Sequence, residues 1–303
     1  MAITGYVVIG ALVVAASRLG NDAASIEAFF RIPGVLLTLW LCGVGLHFNL
    51  RVWRAFESGE PMRMAWKLIA VSATSGLAGS VLIQLFGTGL PAASAAAGSS
   101  RLAMLRGVGM ALDGQFRFAA LAAGLFLVLR IYRRAGCLAR LRAIDWVPLA
   151  VFGAFIVREA VEAVQRWGIH PLSAREWMNL QVDPLLWILL WQALLLFRSV
   201  RRMGKGWISQ CYAAFCLGIA LVLLGDAATW AGNWGYLPWL CSAVGAYAWI
   251  PAAGAFAVAP ALQWEAMRSA TLGDATAGQS SKLLNLPAHA PVSASRGHLR
   301  ACR

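Results

Sequence analysis

The chain has 303 residues, of which 60% are hydrophobic and 13% charged, with a formal net charge of +13. Soluble domains carry about 25% charged and about 45–50% apolar residues, so a pair of ordinary soluble domains is excluded. The basic residues, 23 Arg and three Lys, lie in short clusters between apolar stretches, which excludes a nucleic-acid partner and fits loops between membrane spans.

A spanning helix needs about 20 mostly apolar residues. Eight such segments are expected, at 2–17, 30–50, 66–88, 107–131, 145–165, 182–199, 207–231 and 238–262. The first is short. No Lys or Arg precedes its apolar run, so it lacks the basic start of a secretory signal; a seven-span chain without it is the alternative. The expected fold class is all-α, a polytopic integral membrane helical bundle over residues 1–265. Residues 266–303 are rich in Ala, Ser and Gly and lack apolar periodicity, so they are expected to form a largely disordered cytoplasmic tail.

Lys and Arg divide unevenly between the two sides. The turns near Arg51–Lys67, Arg130–Arg142 and Arg198–Lys205 hold 13, and the opposite side holds six. The positive-inside rule makes the first side cytoplasmic, and eight spans then put both termini there, in a bacterial inner membrane. Three of these turns open alike, as Leu50-Arg51-Val52-Trp53-Arg54, Leu129-Arg130-Ile131-Tyr132-Arg133 and Phe197-Arg198-Ser199-Val200-Arg201, and the last two continue to Gly136 and Gly204. Arg at helix C-termini suits the helix dipole and lipid phosphates, so the resemblance needs no ancestral repeat.

Small residues recur at helical spacing at Ser72, Gly76 and Ser80, and at Ala214, Gly218 and Gly225. Such faces let helices approach closely within a chain, or between two copies in a homodimer. Pro251 falls inside the eighth segment and is expected to kink it.

Ionisable groups inside a bilayer are costly, and each is a site candidate. Asp113 and Arg117 are spaced i,i+4 in the fourth span. Arg158, Glu159 and Glu162 share the fifth, Asp226 lies in the seventh, and Gln84 and Asp183 lie near span ends. With the orientation above, all fall in the outer half of the membrane. Two readings compete: self-satisfied pairs snorkelling at the outer interface, or an outward-facing vestibule for a small polar or cationic ligand or for protons.

No P-loop, GxGxxG, HExxH, CxxC or Cys/His cluster with zinc spacing occurs, so no catalytic residue, metal or cofactor is expected. His47 is the only His within a span and His170 falls on the other side, which does not make a bis-His haem site. The expected function is a sensory or receptor-like module that acts through a separate membrane or cytoplasmic protein. The alternatives are an accessory or structural subunit of a larger membrane complex, and a small-solute or proton-coupled transporter. An enzyme ranks last.

Overall fold

The structure is a computed structural model that describes residues 23–87, 99–167, 174–204, 206–235, 244 and 248–283. The elements are α1 (Ala23–Ala55), α2 (Pro61–Gly87), α3 (Ser99–Ala111), a π-helical turn (Leu112–Phe116), α4 (Arg117–Arg134), α5 (Ala143–Trp167), α6 (Ala174–Met203), α7 (Trp207–Asn233) and α8 (Trp249–Leu283). The π turn joins α3 to α4 without a break, so the described residues form seven helical rods, the all-α bundle expected from the sequence.

Five of the rods contain segments long and apolar enough to cross a membrane: Gly34–Ala55, Pro61–Phe86, Met104–Arg134, Leu180–Met203 and Trp207–Gly232. They correspond to the second, third, fourth, sixth and seventh expected spans. The fifth is also helical, as α5, and residues 249–262 of the eighth belong to α8, but neither carries as long an uncharged apolar run. Arg158, Glu159 and Glu162 crowd one end of α5, and α8 is rich in Ala with Pro260 and Gln263 inside it. The first expected span, 2–17, lies outside the described residues.

The packing order is a closed ring. α1 packs on α2, α2 on α4, α4 on α6, α6 on α7, α7 on α8 and α8 back on α1, while α5 lies outside the ring against α6. In lipid the apolar effect does not press helices together, and close backbone approach does. The glycines show where that happens. A methyl group on Gly124 of α4 would meet Ala65 O of α2 at 3.0 Å, and one on Gly45 of α1 would meet the Ala257 backbone of α8 at 3.3 Å. Trp66, Phe118, Leu125, Leu186 and Ile219 fill the buried centre.

Backbone polar groups in a bilayer must be satisfied within the helix, and several polar side chains do the same with the carbonyl four residues back. Thr38 donates to Gly34 O at 2.8 Å, Thr74 to Ala70 O at 2.9 Å and Thr229 to Gly225 O at 2.9 Å. The Arg-rich ends of α1, α4 and α6 lie at one end of the bundle, with the starts of α2, α5 and α7. Gly136, in the second Arg-rich turn, has φ +71. Its N–H donates to Arg133 O and the Cys137 N–H to Tyr132 O. That closes α4 with a Schellman motif, which requires the left-handed residue there.

One expectation changes. Pro251 is not mid-helix: α8 begins at Trp249, so Pro251 occupies the first turn, where a missing N–H costs nothing. Pro260 is the proline inside α8. α8 also continues to Leu283, past the point at residue 265 where the apolar pattern fades; residues 284–303 lie outside the described residues.

Candidate functional site

The fourth span carries its charges at the π turn. The Arg117 N–H reaches back to Leu112 O, five residues away. π turns inside α-helices are rare and concentrate at functional sites. The small face of α2 receives this turn. A methyl on Gly79 would stand 2.5 Å from Asp113 N and 2.6 Å from Gly109 O, and one on Gly76 would stand 2.9 Å from the Arg117 Cδ. The recurrence of Ser72, Gly76 and Ser80 therefore marks the groove in which the Asp113–Arg117 pair sits.

Arg117 Nη1 donates to Asp113 Oδ1 at 2.9 Å, with the side chains 12% and 22% exposed. Ser80 Oγ adds a longer hydrogen bond to the same oxygen, 3.4 Å. The guanidinium lies 5.3 Å from the Phe118 ring centre and 5.2 Å from that of Phe256 in α8. Arg117 thus points into the ring, toward a cavity of about 40 Å³ lined also by Cys42, Asn49, Ser72, Gly76 and Phe256. At about 10–15 Å³ for each water position, it has room for about three waters. Asn49 is 4% exposed; its Nδ2 donates to Gly45 O at 2.8 Å, while its Oδ1 has no hydrogen-bond partner. A buried carbonyl left this way costs about 1–3 kcal/mol, and a polar occupant removes that cost.

The charges of the fifth span form a different arrangement. Arg158 Nε donates to Glu162 Oε1 at 3.1 Å, with side chains 49% and 28% exposed. The Trp234 indole donates to Glu162 Oε2 at 2.8 Å, and Arg158 lies 3.6 Å over the Trp234 ring. Phe155 stacks on the same indole at 5.9 Å. Glu159 is 3% exposed and Asp183 of α6 5%, and the two side chains are neighbours across the α5–α6 contact.

Of the six residues expected to line one vestibule, four form two ion pairs, each within its own helical rod. Asp113 and Arg117 face α2, α8 and the ring cavity. Arg158 and Glu162 face the end of α7, and Glu159 faces α6. Asp226, in α7, is half-buried. Both i,i+4 pairs form as their spacing requires, and the structure adds Asn49, Ser72 and Cys42 as companions of Arg117. Asn49 carries no charge and lies one residue from an Arg-rich turn, so only its burial marks it. His47 lies on the exposed side of α1.

A second polar assembly stands at the Arg-rich end. Asp145, 5% exposed, accepts from Arg198 Nε at 2.9 Å and from the Arg142 N–H at 2.8 Å. Ser199 Oγ accepts the Ala139 N–H at 2.9 Å. Asp145 falls at the first residue of an expected span, where a carboxylate reads as a helix start, so the sequence did not single it out.

No protein-family model, curated protein or solved structure matches the chain. Among the described residues no group of three or more His, Cys, Asp and Glu is placed to hold a metal.

Proposed function

We propose that the chain is an eight-span inner-membrane protein with both termini in the cytoplasm, working as a sensory or receptor-like module. On this reading its polar site is the Asp113–Arg117 pair with the cavity beside it, and a separate membrane or cytoplasmic protein reads its state. One observation carries this: a guanidinium held by a single carboxylate on a π turn, aimed at a small cleft between helices with an unpartnered Asn49 carbonyl. An occupant there would bridge α1, α2, α4 and α8. A cavity of about 40 Å³ suits water, a proton or a very small polar molecule, which favours detection over bulk passage of a solute.

The purified protein tests this directly. A small polar solute that raises the melting temperature of the parent and not of Asp113→Asn supports the reading. Solute uptake by proteoliposomes of the protein alone replaces it with a transporter. A stoichiometric partner that leaves only when the bundle unfolds, whatever solute is present, replaces it with an accessory subunit. Orientation is tested in a chain whose own cysteines are replaced by alanine. Gly136→Cys and Gly204→Cys are expected to resist an impermeant thiol reagent in intact cells, and Gly98→Cys to react. Labelling of Gly204→Cys from outside reverses the topology.

A further inference from the structure

The Arg-rich end holds more than a scatter of loop charges. Arg140, Arg142, Arg198, Arg201 and Arg202 line a cavity of about 400 Å³, within the range of about 300–1,000 Å³ typical of ligand sites. We propose that this cradle binds a phosphate group, presented by an anionic lipid headgroup or by a free phosphate compound.

Two anchors hold the cradle open before anything binds. Ser199 takes the Ala139 N–H, and Asp145 takes the Arg142 N–H while gripping Arg198 through both its oxygens. The non-helical stretch 137–142 is thereby pinned along the end of α6, with Arg140 and Arg142 on one side and Arg198, Arg201 and Arg202 on the other. Asp145 spends its charge on Arg198. Arg140, Arg142, Arg201 and Arg202 are exposed and keep guanidinium donors free for an acceptor. Arginine forks match phosphate oxygens in pairs, and prior positioning lowers the ordering cost of binding.

The other arginines at this end lie outside the cavity: Arg51 is over the Trp264 ring at 5.6 Å on α1, and Arg133 and Arg134 are exposed on α4. Of the cradle arginines, Arg201 lies over the Phe197 ring at 5.5 Å, which leaves its N–H edge open. Positive-inside bias alone explains those outside the cavity. It does not explain five guanidinium groups around one void. The surroundings favour the lipid source. Trp146 beside Asp145 is 51% exposed and Trp207 at the start of α7 is 46% exposed. Exposed tryptophans mark the headgroup level of a bilayer, and the cytoplasmic leaflet is anionic.

The test uses the full chain in mild detergent and native mass spectrometry. Dioleoyl phosphatidic acid, dioleoyl phosphatidylcholine and pyrophosphate are added separately. The readouts are bound adducts and melting temperature. Arg140→Gln with Arg202→Gln leaves Asp145–Arg198 intact. Arg133→Gln with Arg134→Gln removes equal charge outside the cradle. Phosphatidic acid adducts that fall tenfold or more in the first variant and stay unchanged in the second establish the site with a lipid source. Pyrophosphate stabilisation lost in the first variant only establishes it with a soluble source. Equal losses in the two variants, or no preference for phosphatidic acid or pyrophosphate over the zwitterionic phosphatidylcholine, overturn it.

Discussion

The two ion pairs in the apolar spans have the same spacing and opposite surroundings. Asp113–Arg117 and Arg158–Glu162 are both i,i+4 pairs. The first lies inside the ring, on a π turn packed against glycines of α2. The second lies on α5, outside the ring, half-exposed and braced by Trp234. Their energetic weight should differ accordingly. Breaking a buried pair leaves a charge without compensation and costs about 3–5 kcal/mol, while an exposed pair is worth about 0–1 kcal/mol. Spacing along a helix fixes which side chains can meet; the neighbouring helix fixes what the meeting is worth.

The largest expected effect is Arg117→Ala, a loss of about 3 kcal/mol or more, because Asp113 is left with only the long Ser80 contact. Thermal unfolding in detergent measures it, and a loss below that of Arg158→Ala would abolish the contrast. Next is Gly79→Ala, at about 1–3 kcal/mol, since its methyl would strike backbone atoms of the π turn rather than a side chain able to move. A tolerated Gly79→Ala would mean that α2 does not press on the turn. Double-mutant cycles sharpen the contrast. Asp113→Asn with Arg117→Gln is expected to couple by about 1–3 kcal/mol, and Glu162→Gln with Arg158→Gln by roughly 0.5 kcal/mol or less. The smallest single effect is Arg158→Ala, about 1 kcal/mol or less, much of it from the lost contact with the Trp234 ring.

Much of the bundle is legible in the sequence because length and polarity decide it. Apolar runs of about 20 residues set the rods, and Arg clusters set the end at which they turn. The small face of α2 was visible from the spacing of Ser72, Gly76 and Ser80. How each rod is rotated about its own axis was not visible. α1 and α7 are apolar almost all the way round, so their composition does not select an inner face. This is why Asp226, on α7, could be given a depth but not a neighbour. The π turn has no signature either. Leu112-Asp113-Gly114-Gln115-Phe116 would continue an α-helix, and only the fit of Gly109 and Asp113 against Gly79 shows where the extra residue is absorbed. The pinned segment 137–142 was likewise out of reach, because its anchors, Ser199 and Asp145, are ordinary residues until the fold sets them opposite Ala139 and Arg142.

The π turn also has a mechanical consequence. In a rod of otherwise regular turns, one surplus residue behaves like a dislocation in a crystal, able to move along the row without breaking it. Sliding it past a residue would turn that residue by about 100° about the helix axis, at 3.6 residues per turn, while the Arg-rich end of α4 stays seated on α2 and α6. The Leu112–Phe116 stretch thus gives this part of the bundle a swivel, and the Asp113–Arg117 pair, sitting at its edge, acts as the latch.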